Sequence, residues 1–128
     1  MEFCFEQTPV SQQEIIDVIT FWKKELPDSL TKVIKTHNGA SVCGENVVVD
    51  SLISFSRSDE FNIFTAISIL KEDGITSLFP WGTDGGGNYF CLDYSLDADS
   101  PSVVLLDHET LEQEFLAKTF DEFWKMMD

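Results

Sequence analysis

The hydrophobic period of this chain changes at Asn38-Gly39, and that change limits the folds open to it. Before it, Ile15, Val18, Ile19, Trp22 and Leu26 recur at three- and four-residue steps, which places them on one helical face. Ser11-Gln12-Gln13-Glu14 has the capping-box form, so the first helix is predicted over 11–25. Leu26-Pro27 interrupts it: proline disfavours helix in the residue before it and suits the first turn of the next. A second helix follows over 27–36 with Leu30, Val33 and Ile34 inward. His37 then sits where a cation favours the helix dipole, and Asn38-Gly39 supplies the left-handed cap. After this point the apolar runs are short and β-branched or alternating. Asn46–Val49, Leu52–Phe55, Ile75–Phe79, Tyr89–Asp93 and Val103–Leu106 read as strands, and Phe3 and Phe5 as a short opening strand. The segment 61–71 fits helix or strand, and helix is preferred. Thr119-Phe120-Asp121-Glu122 repeats the capping-box form ahead of a short C-terminal helix. Helices segregated from strands predict an α+β fold with a mixed or antiparallel sheet, rather than alternating βαβ units. With 128 residues and no linker or repeat, residues 1–128 are expected to form one domain.

Charge excludes two classes of partner. Eight Lys and Arg stand against 23 Asp and Glu, a formal net charge of −15. Such a chain lacks the cations to neutralise nucleic-acid phosphates or to hold an anionic membrane surface. Disorder is not expected despite the charge, because 43% of the residues are hydrophobic and 11 are Phe. Cys4, Cys43 and Cys91 are too few and too scattered for a disulfide framework, and none has metal-ligand spacing. Residues 1–6 lack a basic n-region, and no apolar run approaches the ~18 residues of a membrane span. A reduced cytoplasmic protein is the expectation.

The stretch Pro80-Trp81-Gly82-Thr83-Asp84-Gly85-Gly86-Gly87-Asn88-Tyr89 invites a phosphate-cradle reading, because glycine-rich backbone can present N–H groups to an oxyanion. Against it, the P-loop Lys-Ser/Thr is missing, the spacing is not G-x-G-x-x-G, and the loop leads into a strand. Asp84 would also repel a phosphate. A tight turn between strands, with glycines supplying positive φ, is preferred. Asp84, Asn88 and Asp93 are oxygen donors, but without the donor spacing of an EF-hand, and no metal or cofactor is assigned. His37 and His108 have no triad or metal context, and Asp107-His108-Glu109 reads as a polar turn. No G-x-S-x-G or H-E-x-x-H motif is present.

Between Lys71 and Lys118 lie 46 residues with ten carboxylates and no Lys or Arg. Most fall at strand ends or turns, which are surface positions. An acidic face is expected, one that keeps a small domain soluble or steers a basic partner.

Several segments together resemble the SUKH superfamily, which includes yeast cell-wall regulators and many bacterial immunity proteins. Leu26-Pro27-Asp28 entering a helix that ends at Asn38-Gly39 is similar to its LP…NG segment. Leu78-Phe79-Pro80-Trp81-Gly82 leading through Asp84-Gly85-Gly86-Gly87-Asn88 to Tyr89–Asp93 is similar to its strand–glycine–strand hallmark. Val103–His108 and Leu116–Phe123 match a later strand and the closing helix entry. The chain departs from the pattern at Leu30 and Ala40, and 43–71 carries no matched motif. The resemblance implies a non-enzymatic α+β domain with a sheet packed against N- and C-terminal helices, serving as the antidote to a cognate polymorphic toxin, often a nuclease. It also implies structural roles for Leu26 and Pro27 at the helix junction and for Gly82, Gly85, Gly86 and Gly87 in the turn. The charge argument adds contact candidates: Asp84, Asp93, Asp97, Asp99, Asp107 and Glu109 facing a toxin's basic surface, with Trp81 or Tyr94 as aromatic anchor. Trp81 reads equally as core. A regulatory scaffold or small-ligand sensor using a pocket at the glycine turn is the alternative. The oligomeric state, monomer or weak dimer, stays open.

Overall fold

In the computed structural model, which describes residues 2–44 and 47–127, the chain forms an α+β fold. The elements in order are β1 (Glu2–Cys4), α1 (Gln12–Trp22), α2 (Asp28–His37), β2 (Ser41–Cys43), β3 (Ser51–Leu52), α3 (Ile63–Glu72), β4 (Leu78–Thr83), β5 (Tyr89–Asp93), β6 (Ser102–Leu106), β7 (Gln113–Ala117) and α4 (Phe120–Met126). The seven strands make one sheet in sequence order, and every neighbouring pair is antiparallel. The sheet is thus the purely antiparallel form of the two expected.

Local chemistry sets the helix ends. Ser11 Oγ accepts from the Glu14 N–H (3.2 Å) while Glu14 Oε1 accepts from the Ser11 N–H (3.0 Å), closing the capping box. α1 stops at Trp22, three residues short of the expected end, because Lys23 turns left-handed (φ 68°). Pro27 precedes α2 with its carbonyl accepting from the Leu30 and Thr31 N–H groups (3.1 and 3.2 Å). Asn62 caps α3 by accepting from the Thr65 N–H (3.1 Å), so the segment expected over 61–71 is helical from Ile63 to Glu72. Thr119 caps α4 in the same way.

Asn38 and Gly39 divide the labour that the sequence assigned to both. Only Gly39 is left-handed (φ 68°); a Cβ there would lie 2.4 Å from Gln7 Cγ. Asn38 is extended, and its buried side chain joins three segments. Its Nδ2 donates to Thr8 O (2.7 Å) and Ser54 Oγ (3.0 Å), and its Oδ1 accepts from the Phe55 N–H (2.8 Å). Ser54 Oγ in turn accepts from the Ser56 N–H (3.0 Å). The Ile53 N–H still donates to Trp81 O (3.0 Å), and beyond it these bonds draw the backbone out of the sheet, because side-chain partners replace ladder partners. The strand expected over Leu52–Phe55 therefore shortens to Ser51–Leu52.

The expected strand at Asn46–Val49 is corrected. Asn46 lies outside the described residues, and Val47–Val49 carry no strand despite three β-branched side chains. Pairing occurs on either side instead, through Ser41–Cys43 and from Asp50 onward, whose N–H donates to Thr83 O (2.8 Å). β1 ends one residue early, since Phe5 is left-handed (φ 52°).

Strand alternation builds two cores. Phe79, Trp81, Phe90, Leu92 and Val103 face all four helices, and Trp81 has no exposed surface. Leu78, Cys91, Val104 and Leu106 point to the other face, under Leu70, Ile75 and Leu111. Because both faces of β4–β6 are buried at the centre, these strands read as continuous apolar runs. Asn38→Ala would leave the Phe55 N–H without its partner and release Thr8 and Ser54. It should lower the free energy of urea unfolding by about 2–3 kcal/mol; a loss below about 0.5 kcal/mol would deny the joint its role.

Candidate protein-binding surface

The glycine turn is organised from within. Asp84 Oδ1 accepts from the N–H groups of Gly86 (2.8 Å) and Asn88 (2.9 Å), and its Oδ2 accepts from Asn88 Nδ2 (3.0 Å). The backbone donors an oxyanion would need are thus taken by a carboxylate of the turn itself. Asn88 Oδ1 then accepts from the His108 N–H (3.1 Å) and lies 2.7 Å from His108 Nδ1, tying this turn to the β6–β7 connection. Partial burial pushes the Asp84 carboxyl up, and the bonds from Asn88 and Gly86 outweigh it and hold the group below its usual range. The four glycines of the implied motif differ in what they do. Gly87 needs its positive φ (88°), and Gly82 lies where a Cβ would come within 3.3 Å of Ser51 O. At Gly85 a Cβ would meet open space, so the turn makes no steric demand there.

The structure places both candidate anchor rings in the interior, in keeping with the core reading of Trp81 and against the exposed role considered for Tyr94. Trp81 sits wholly inside, against Phe120 (5.0 Å between centroids), Phe90 (5.6 Å) and Phe123 (5.8 Å). Tyr94 is buried too: its ring packs edge-on to Trp22 at 5.6 Å and its hydroxyl donates to Glu25 O (2.7 Å). That bond crosses the Leu26-Pro27 junction, whose Leu26 is core. Neither ring is free to enter a partner.

The six candidate carboxylates separate into two groups. Asp93 pairs with Leu78 and Ser102 at one end of β5, and Asp97 and Asp99 lie in the β5–β6 connection beyond it. Asp84, Asp107 and Glu109 lie at the other end, where Tyr89 pairs with Leu106. The single acidic face expected from the sequence is therefore two acidic ends. It also means that Asp84 and Asp93 cannot share a cation. Among the described residues no group of three His, Cys, Asp or Glu is placed to hold a metal.

Four of these acids shape turns by accepting backbone hydrogens. Besides Asp84, Asp93 Oδ1 accepts from Ser95 N–H (2.9 Å), Asp97 Oδ1 from Asp99 N–H (2.9 Å), and Asp107 Oδ1 from Glu109 N–H (2.8 Å). Bonds from the Thr110 and then the Glu109 N–H lower the Asp107 carboxyl. Asp93, Asp97 and Asp107 accept these bonds through Oδ1, whereas Asp84 uses both oxygens.

Beside the first group the second sheet face opens. Leu96 is 94% exposed and Phe115 63% exposed. With Val104, Asp93 and Asp97 they line a shallow concavity of about 350 Å³, and Lys118 stands at its edge. Sequence reading missed both apolar residues. The available signals were a leucine inside an otherwise acidic turn and the alternation Gln113-Glu114-Phe115. A second concavity, about 390 Å³, opens between β2, β3 and the approach to α3, with Phe5, Phe61, Asp50, Asp59 and Glu60 in its wall. No described helix is long and apolar enough to cross a membrane.

The structure thus combines an antiparallel sheet whose main core lies under the helices with exposed Leu96 and Phe115 toward its other face. The chain belongs to the SMI1 / KNR4 family (SUKH-1), whose model matches residues 9–126. That family is known for immunity-type proteins and is generally non-catalytic. Comparison with curated proteins finds no match.

The depressed Asp84 and Asp107 carboxyls give a signed expectation. Their contribution to stability is complete above the unfolded-state value near 4 and is lost as pH falls through the lower folded values. Asp84→Ala should cost about 1–2 kcal/mol at pH 7, and its deficit against wild type should shrink below about pH 4. Urea unfolding at pH 3–7 measures this, and a deficit constant with pH would show that the charge is not involved.

Proposed function

We propose that this protein is a non-enzymatic immunity protein that works as one domain in the cytoplasm and neutralises a cognate toxin by occupying the toxin's basic surface. The carrying observation is the juxtaposition on the open sheet face: Leu96 and Phe115 exposed beside Asp93 and Asp97. Exposed apolar side chains rimmed by charge suit a protein partner. The acids favour one with Lys or Arg around an apolar contact, and a nuclease, whose cleft grips phosphates, has that chemistry. Phe115 replaces Trp81 and Tyr94 as the anchor. Asp99 joins Asp93 and Asp97 at the contact end, while Asp84, Asp107 and Glu109 contribute charge at a distance.

A ligand-sensing role is the second reading, and it draws on the acidic, Phe-walled concavity rather than on the glycine turn. The two separate by mutation. Binding to the product of the neighbouring gene, measured at low salt by surface plasmon resonance, should weaken about tenfold or more with Phe115→Glu, chiefly through faster dissociation. Asp97→Lys with Asp99→Lys should slow association instead. Phe61→Ala should leave both rates unchanged. Absence of a complex at micromolar concentration, or loss confined to Phe61→Ala, would overturn the assignment.

A further inference from the structure

Spacing along the chain gives no reason to pair Cys4 with Cys43, yet the fold brings them together. In the β1–β2 ladder Cys4 lies opposite Ser41 and Glu2 opposite Cys43. The cysteines are therefore diagonal neighbours, and two-residue alternation puts them on one face. Their sulfurs are 2.9 Å apart, about 0.9 Å beyond the covalent S–S length of about 2.05 Å. Both residues are partly exposed, whereas Cys91 is fully buried and its thiol is pushed far up by burial.

We propose that Cys4 and Cys43 form a redox modification site, a dithiol that a low-molecular-weight disulfide converts to a cross-strand disulfide stapling β1 to β2. The thiolate of one cysteine attacks the reagent RS–SR; its sulfur bonds to one RS group and the other leaves as RS⁻. The second protein thiolate then attacks the protein-bound sulfur, forms Cys4–Cys43 and expels the second RS⁻. The two protons released by the cysteines end on the two RSH products. The protein dithiol is oxidised by two electrons and RS–SR is reduced by two. Proximity favours the second step over escape of the mixed disulfide, because the resolving sulfur is already in contact. The Cys4 thiol is raised above its ordinary value, first by its bond with Cys43 and then by burial and nearby charge.

The staple would act at the edge of the sheet, on its first strand. β1 pairs through three residues, and Phe3 stacks on His37 (3.8 Å) and reaches Trp124 (6.1 Å). The two cysteines are 39 positions apart, so the closed loop holds both α1 and α2. Phe5 and Ser41, next to and opposite Cys4, line the 390 Å³ concavity, so the bond would also fasten that wall.

The test uses the full, reduced chain with oxidised glutathione in anaerobic buffer, followed by intact mass, thiol titration and non-reducing peptide mapping. Expected are a loss of two hydrogen masses, a peptide joining residues 4 and 43, and Cys91 as the one remaining thiol after denaturation. The oxidised form should melt about 5 °C or more higher, reversibly with dithiothreitol. At least one of Cys4→Ser and Cys43→Ser should stop at a glutathione adduct. Three retained thiols, a persistent adduct on wild type, a disulfide-linked dimer, an oxidised form that melts no higher, or no adduct on either variant would each overturn the proposal.

Discussion

Trp81 commits one face of the sheet entirely to the interior. It stands on β4, the middle strand, and its ring lies among Phe90, Phe120, Phe123 and Trp124, which joins the sheet centre to the C-terminal helix. Its indole N–H is buried without a hydrogen-bond partner, an expense tolerated because the ring buries so much apolar surface. Phe79, two residues earlier, meets Trp22 of α1 edge-on at 5.3 Å. All four helices send side chains to this side, and Leu70 of α3 also reaches the opposite face, so what the sheet presents comes from the uncovered part of that face or from the strand ends.

On that opposite face the cover is short. Leu70, Ile75 and Leu111 shield Leu78, Cys91, Val104 and Leu106, and they do not reach the last strand, where Phe115 projects. β7 is also the terminal strand of the sheet. Glu114 beside Phe115 and Lys118 just after the strand place charges along that edge, a common guard against strand-to-strand aggregation.

Much of the first third was legible because its determinants are local. The Ser11–Glu14 capping box, the Leu26-Pro27 break and the stop at Asn38-Gly39 each depend on residues within one turn. The middle was harder because long-range bonds decide it: Val47–Val49 favour strand by type, while Asn38 holds Ser54 and Phe55, 16 and 17 positions along the chain, and so sets the path of the backbone there. β7 escaped because Glu114 and Phe115 are exposed and a register shift at Val103/Val104 breaks its alternation. The family resemblance was readable from spaced motifs, most of whose residues turn out to be core, cap or turn. Contact residues were not readable. Trp81 and Tyr94 lie in runs buried on both faces, so composition could not tell an anchor from a core ring. Nor does the order of carboxylates along the chain reveal which end of a hairpin each one occupies.

That last point changes what the net charge means. Five residues of β5 separate the acids of its two ends by about 13 Å at ~3.3 Å per residue. The screening length is about 8 Å at physiological salt. A partner near one end therefore feels chiefly that end, and the formal −15 describes solubility better than it describes recognition. What distinguishes the Asp93–Asp97–Asp99 end is not more charge but its neighbour, the exposed Leu96–Phe115 pair. Charge that is screened within a few ångströms can quicken an encounter, yet slow escape requires apolar surface removed from water at the same place. Exposed apolar side chains lie beside carboxylates at the β5–β6 connection and β7, and again where Phe5 and Phe61 stand with Asp50, Asp59 and Glu60, so recognition by either surface would rest on that pairing and not on the net charge.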